Sequence, residues 1–137
     1  MLMMELVRVI GLVELDRLVV GQPISLSQAF AVHELDADVP LSQRELAERL
    51  HLEKSSVSRM AAEMERNGLL VRERHPDNRR LYRLRLTARG RALHRDIAAA
   101  FHQRYVRWTS AMTAAELDAL LAGLVALVRA VREERAT

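Results

Sequence analysis

Three hydroxyls and two cations crowd the stretch "EKSSVSR", which places Ser55, Ser56 and Ser58 beside Lys54 and Arg59. A second stretch, "RERHPDNRRLYRLRLT", carries six arginines from Arg72 to Arg85 around the sequence Pro76, Asp77, Asn78. The serines have no histidine and acid partners at nucleophile spacing. The chain has no glycine-rich phosphate cradle, and no carboxylate pair stands apart from the helical surface pattern. The absence of cysteine excludes a thiolate nucleophile, a disulfide scaffold, a thiol redox switch and cysteine-ligated zinc. An enzyme is therefore not expected. What these residues suit is contact with a polyanion: short hydroxyls allow close approach to base edges and phosphates, and guanidinium groups match phosphates or a narrow minor groove.

Charge placement points the same way. The net charge is only +3, yet between Arg72 and Arg95 nine arginines stand against Glu73 and Asp77, leaving the rest of the chain net acidic. An arginine-rich composition, with Lys54 the single lysine, accounts for the residue type but not for its concentration in one window. A phosphate backbone rewards positive charge gathered on one face.

The elements that position these residues are mostly helical. At 137 residues and 50% apolar content the chain is expected to fold as one domain, with apolar faces that a second copy would cover. Residues 3 to 20 have helical spacing but too many apolar positions for one buried stripe, and Gly21 and Pro23 are expected to end that helix. Its charges, from Glu5 to Arg17, interrupt any signal peptide or membrane span, so a cytoplasmic location and no membrane partner are expected. Ser25 with Gln28 has capping-box spacing for a second helix running to about Asp36, and Ser42 with Glu45 has it for a third. A fourth helix is expected from about Glu53 to Asn67, with Val57, Met60, Ala61 and Met64 inward and Asn67-Gly68 as its stop. The tight "HLE" corner between the third and fourth makes a helix-turn-helix.

"LLVRERH" and "RRLYRLRLT" then read as an antiparallel pair turning at Pro76 to Asn78. Tyr82, Leu84 and Leu86 fall on the packing face, with Leu81, Arg83 and Arg85 on the other. A helix-turn-helix followed by a basic hairpin is a winged helix. Downstream, Thr87 is expected to cap a long helix. Thr113 with Glu116 starts a last one whose Leu117, Leu120, Leu121, Leu124, Leu127, Val128 and Val131 form a broad apolar stripe.

The run from "SQRELAERL" through "EKSSVSRMAAEMERNGLLVRERHPDNRRLYRLRLTARGRAL" resembles the MarR family of bacterial transcriptional regulators. "SSVSR", "ERNGLLVRE", "DNRR" and "LTARGRAL" carry the likeness in their order and separation. The fold class this implies is mainly α with a small β wing, a winged helix-turn-helix with N- and C-terminal dimerisation helices. The single domain, 1–137, would hold a DNA-binding lobe at 39–87 and dimerisation helices at 1–24 and 88–137. The resemblance also implies a homodimer on double-stranded DNA with an inverted-repeat operator. In it Ser55, Ser56, Ser58 and Arg59 would enter the major groove, Arg79 would reach the minor groove and Asp77 would steady the wing. Ser42, Gln43, Lys54, Asn78, Arg80 and Arg83 complete the expected DNA-facing set.

Family members usually repress and are released by a small effector, often aromatic. A pocket of Phe30, His33, Phe101, His102, Tyr105 and Trp108 is the corresponding candidate, although core packing is the commoner fate of Phe30, Phe101 and Trp108. His94 and His102 lie too far apart on one helix to be neighbouring ligands, and His33 would join either only through tertiary packing. No metal site and no cofactor are expected. The competing readings are a winged-helix architectural DNA binder without operator specificity and a protein-interaction module.

Overall fold

The computed structural model describes residues 1–17 and 24–137. The expected stop at Gly21 and Pro23 lies outside the described residues. Nine elements follow in the described chain: helix α1 (Leu2–Arg17), α2 (Leu26–Leu35), strand β1 (Leu41–Ser42), α3 (Gln43–Leu50), α4 (Lys54–Arg66), β2 (Leu70–Arg74), β3 (Tyr82–Leu86), α5 (Ala88–Thr109) and α6 (Ala114–Ala136). Two compact units result, residues 1–100 and 101–137. The fold is mainly helical with one small antiparallel sheet, a winged helix-turn-helix.

Local chemistry sets the helix limits. Ser25 and Gln28 exchange side-chain and backbone hydrogen bonds at 3.2 and 3.3 Å, and Ser42 and Glu45 do so at 3.0 and 2.8 Å. Each box satisfies donors that the first helical turn leaves without intrahelical partners. α3 ends at His51, whose left-handed backbone (φ 54°) turns the chain while the Leu52 N–H bonds back to the Ala47 carbonyl at 3.0 Å. That closure makes the corner of the helix-turn-helix. α4 stops at Asn67, and Gly68 takes the positive φ (+72°) that redirects the chain into β2.

The sheet has three strands in the order β1-β3-β2, not the two of the expected hairpin. Leu41 and Ser42 pair with Leu84 and Arg83, so Ser42 ends a strand and caps α3 at once. Two residues are too few to show a period of two, which is why β1 left no sequence pattern. β2 and β3 pair in the register Leu70↔Leu86 to Arg74↔Tyr82. Val32, Leu46, Val57, Met64, Leu69, Leu70 and Leu84 are the fully enclosed centre, joining α2, α3, α4 and the sheet. Each such side chain contributes about 1.5–3 kcal/mol on leaving water.

The terminal helices are different. Thr113 and Glu116 form the expected capping box at 2.8 and 3.2 Å, but no residue of α6 is buried, and Leu120, Leu121, Leu124, Leu127, Val128 and Val131 are all exposed. Leu2, Met3, Met4, Leu6, Val7 and Val9 of α1 are exposed as well. No helix among the described residues is long and apolar enough to cross a membrane.

Candidate nucleic-acid interface

α4 is anchored by Val57, Ala61 and Met64, all buried. At 100° per residue that anchor turns Ser55, Arg59 and Ala62 directly outward, with Ser56 and Ser58 on opposite flanks. Ser56 and Arg59 border a cleft of about 320 Å³ that also includes Ser25, Gln28 and Leu52. Ser58 shares its stripe with Glu65, which contacts the sheet, so Ser58 is on the wing side. Lys54, Ser55 and Arg59 are exposed. Unlike α2, α3 and α6, α4 begins without a side-chain cap, since Glu53 supplies no hydrogen bond. The first-turn backbone donors of α4 are therefore left without a side-chain cap, the condition in which such donors and the helix dipole can serve a phosphate. Arg66 is exposed on the same outward face and is not among the expected residues; it lies seven residues after Arg59 and four after Ala62, the spacing of one helical stripe that would have found it.

Two expected contacts in α3 have other partners. The Ser42 hydroxyl accepts the Glu45 N–H in the cap, and the Gln43 side-chain oxygen accepts from Arg72 Nη1 at 3.4 Å. Both thereby order the start of α3.

The wing sorts its arginines. Arg83 Nε and Arg85 Nη2 donate to the same oxygen, Oε1 of Glu73, at 2.8 and 3.2 Å. Glu73 stands opposite Arg83 in the ladder, so the flank expected to be free cation is partly neutralised across the strands. Arg72 is held by Glu65, through its backbone N–H at 2.9 Å and as an ion pair at 3.6 Å. Arg79 and Arg80 are exposed at the tip, with no side-chain ion pair among the described residues.

The tip is ordered differently from expectation. Among the described residues no donor meets the Asp77 carboxylate; Asp77 instead gives its backbone N–H to His75 Nδ1 at 3.2 Å. Asn78 Oδ1 accepts the Arg80 N–H at 3.1 Å, the Asn78 carbonyl accepts the Leu81 N–H at 3.0 Å, and Arg74 Nη1 donates to the Arg79 carbonyl at 2.6 Å. An amide side chain two residues before its donor closes the turn locally, which leaves the carboxylate in water.

The six candidate pocket residues are not core. Phe30, Phe101 and Trp108 are 49%, 40% and 48% exposed, and Tyr105 is exposed too. In the second unit His102 lines an open depression of about 450 Å³ with Gln103, Val106 and Arg107. In the first unit His33 turns to His94: Nδ1 and Nε2 lie 3.3 Å apart, and His94 Nδ1 meets Asp36 Oδ2 at 3.0 Å. Among the described residues no group of three or more histidines, cysteines or acids is arranged to hold a metal ion.

Residues 24–82 match the model of the MarR family. No curated protein matches the sequence. Among solved structures, RV1404 from Mycobacterium tuberculosis is 26% identical, with a TM-score of 0.77 over 93% of this chain and 87% of that one. The PcaV transcriptional regulator from Streptomyces coelicolor, solved with its natural ligand, is 26% identical, with a TM-score of 0.68 over 86% and 83%. FabT from Streptococcus pneumoniae, solved in complex with DNA, shares the fold at 21% identity, with a TM-score of 0.80 over 96% and 93%. The matched segment runs from residue 24, just before α2, to the first residue of β3 and so takes in the uncapped α4 and the basic wing tip: over this lobe the chain matches the MarR family of transcriptional regulators.

Proposed function

We propose that this DNA-binding regulator is a homodimeric repressor that reads an inverted-repeat operator and is released by a small aromatic effector. The lobe at 39–87 reads DNA, and the helices at 1–24 and 88–137 form the dimer. In this reading the α4 residues Ser55, Ser56, Ser58 and Arg59 enter the major groove, where a good bidentate pair discriminates bases by about 1–3 kcal/mol. Lys54, Asn78, Arg80 and the α3 start position the backbone. The observation that carries the reading is the division of charge in the wing: carboxylates hold Arg72, Arg83 and Arg85, while Arg79 and Arg80 stand exposed at the tip.

Selection of bound duplexes from a random library with purified protein tests the class. Recovery of one inverted repeat, preferred over random duplex by at least about a thousandfold, is expected. Equal affinity for all duplexes would identify an architectural binder, and no appreciable affinity an interaction module. On the selected duplex, Arg79→Ala should weaken binding about tenfold and reduce the slope of log affinity against log salt by about 1, with the dimer intact. An unchanged isotherm would remove Arg79 from the interface. Effector release is supported by the ligand-bound PcaV relative and by the exposed aromatic residues of α5. A screen of small aromatic acids for loss of DNA binding tests it, and a complete absence of hits would leave the regulator without this switch.

A further inference from the structure

Tyr82 has an arrangement that DNA contact alone does not explain. Two guanidinium groups lie over its ring, Arg74 Cζ at 4.2 Å and Arg72 Cζ at 5.1 Å from the centroid. In the ladder Arg74 is directly opposite Tyr82 and Arg72 is opposite Leu84, so all three project from one face of the sheet. Arg72 reaches inward: its Nη1 donates to Gln43 of α3, and its Nε, buried and without a hydrogen bond, is held only as an ion pair with Glu65 of α4. Arg74 reaches the other way and fixes the Arg79 carbonyl at 2.6 Å. A planar ring with two cations over it is a stiff joint, because both contacts require the same ring orientation.

We propose that Tyr82 is a positioning residue: through Arg72 and Arg74 it fixes where Arg79 stands relative to α4, and so sets the offset between the wing contact and the recognition helix. The inference rests on the wing reading given above. It makes Tyr82 a determinant of DNA affinity that touches no DNA. Without the ring, Arg74 loses its orienting surface, the Arg79 carbonyl loses its fixed donor, and the tip samples positions from which Arg79 cannot reach the groove.

A double-mutant cycle on the library-selected duplex tests this. Tyr82→Leu is expected to weaken binding about tenfold and to lower the salt slope by about 1, matching Arg79→Ala. Tyr82→Phe, which keeps both ring faces, should bind within about twofold of the parent. In an Arg79→Ala background Tyr82→Leu should add less than about twofold, since there is no longer a side chain to position. Independent, multiplying effects would overturn the inference while leaving the wing reading intact; an Arg79→Ala protein that binds normally would overturn both. Should Tyr82→Leu melt before binding can be measured, Arg74→Met removes the link to the Arg79 carbonyl with the ring in place and must show the same coupling to Arg79, or the inference fails.

Discussion

Gly90→Ala is expected to lower the unfolding free energy of the winged-helix lobe by about 2–3 kcal/mol, measured by urea denaturation. A Cβ at this position would stand 2.0 Å from the Leu69 carbonyl oxygen and 3.1 Å from both its carbon and Leu86 Cδ2. The obstruction is backbone, and it cannot simply move aside. Leu69 O accepts the Thr87 N–H at 3.0 Å, while the Thr87 hydroxyl donates to the Gly68 carbonyl at 2.5 Å and accepts the Gly90 N–H at 3.1 Å. Thr87, just before α5, is thus pinned by two bonds to the residues just before β2, its hydroxyl also takes the Gly90 N–H of the first turn, and Gly90 is where the two backbones pass. An added methyl either breaks the Thr87 bonds or lifts α5 and uncovers Leu93 and Ile97. The gain from replacing a helical glycine, about 0.5–1 kcal/mol, is too small to offset either cost. A variant as stable as the parent would show that α5 is not seated by this contact.

Gly90 also shows where sequence reasoning runs out. The three capping boxes at Ser25, Ser42 and Thr113 were legible because each is an exchange between residues three apart, and the limits of α2, α3 and α6 followed from them. The inward positions of α4 followed from its period. A glycine inside a helix, by contrast, reads only as a local cost; the carbonyl that demands it belongs to another element. The same holds for the wing. Alternation placed Arg83 and Arg85 on one face, but their shared partner Glu73 depends on the register of β2 against β3, and the tie between Arg72 and Glu65 depends on α4 lying against the sheet. Asn78 was legible as a turn residue, while its acceptance of the Arg80 N–H is a matter of ångströms within the loop. The aromatic residues expected to pack within the chain are exposed because periodicity says that a side chain is apolar without saying which surface covers it.

What covers the apolar face of α6 is the second large test. The double variant Leu124→Glu/Val128→Arg is expected to halve the molecular mass in light scattering, to 15.6 kDa, and to weaken operator binding at least a hundredfold. Leu124 and Val128 are at the middle of a stripe that continues through Leu117, Leu120, Leu121 and Val131, and they are 42% and 46% exposed in the single chain. Burying such side chains against a partner contributes about 1.5–3 kcal/mol each, whereas a charge placed there must be desolvated without a counterpart. The chosen pair has Glu four residues before Arg, an order that supports the helix, so loss of the dimer would not reflect loss of α6. Binding should fall far more than for any single DNA-facing residue, because each lobe then meets its half-site as a separate event and loses the effective concentration that a tethered partner provides. A second readout separates this from a damaged lobe: inserting five base pairs between half-sites turns them to opposite faces of the duplex, which should disable the dimer but leave the monomeric variant indifferent. A variant that stays dimeric and keeps its sensitivity to spacing would move the interface elsewhere, and the exposed leucines and methionines of α1 would be the next surface to charge.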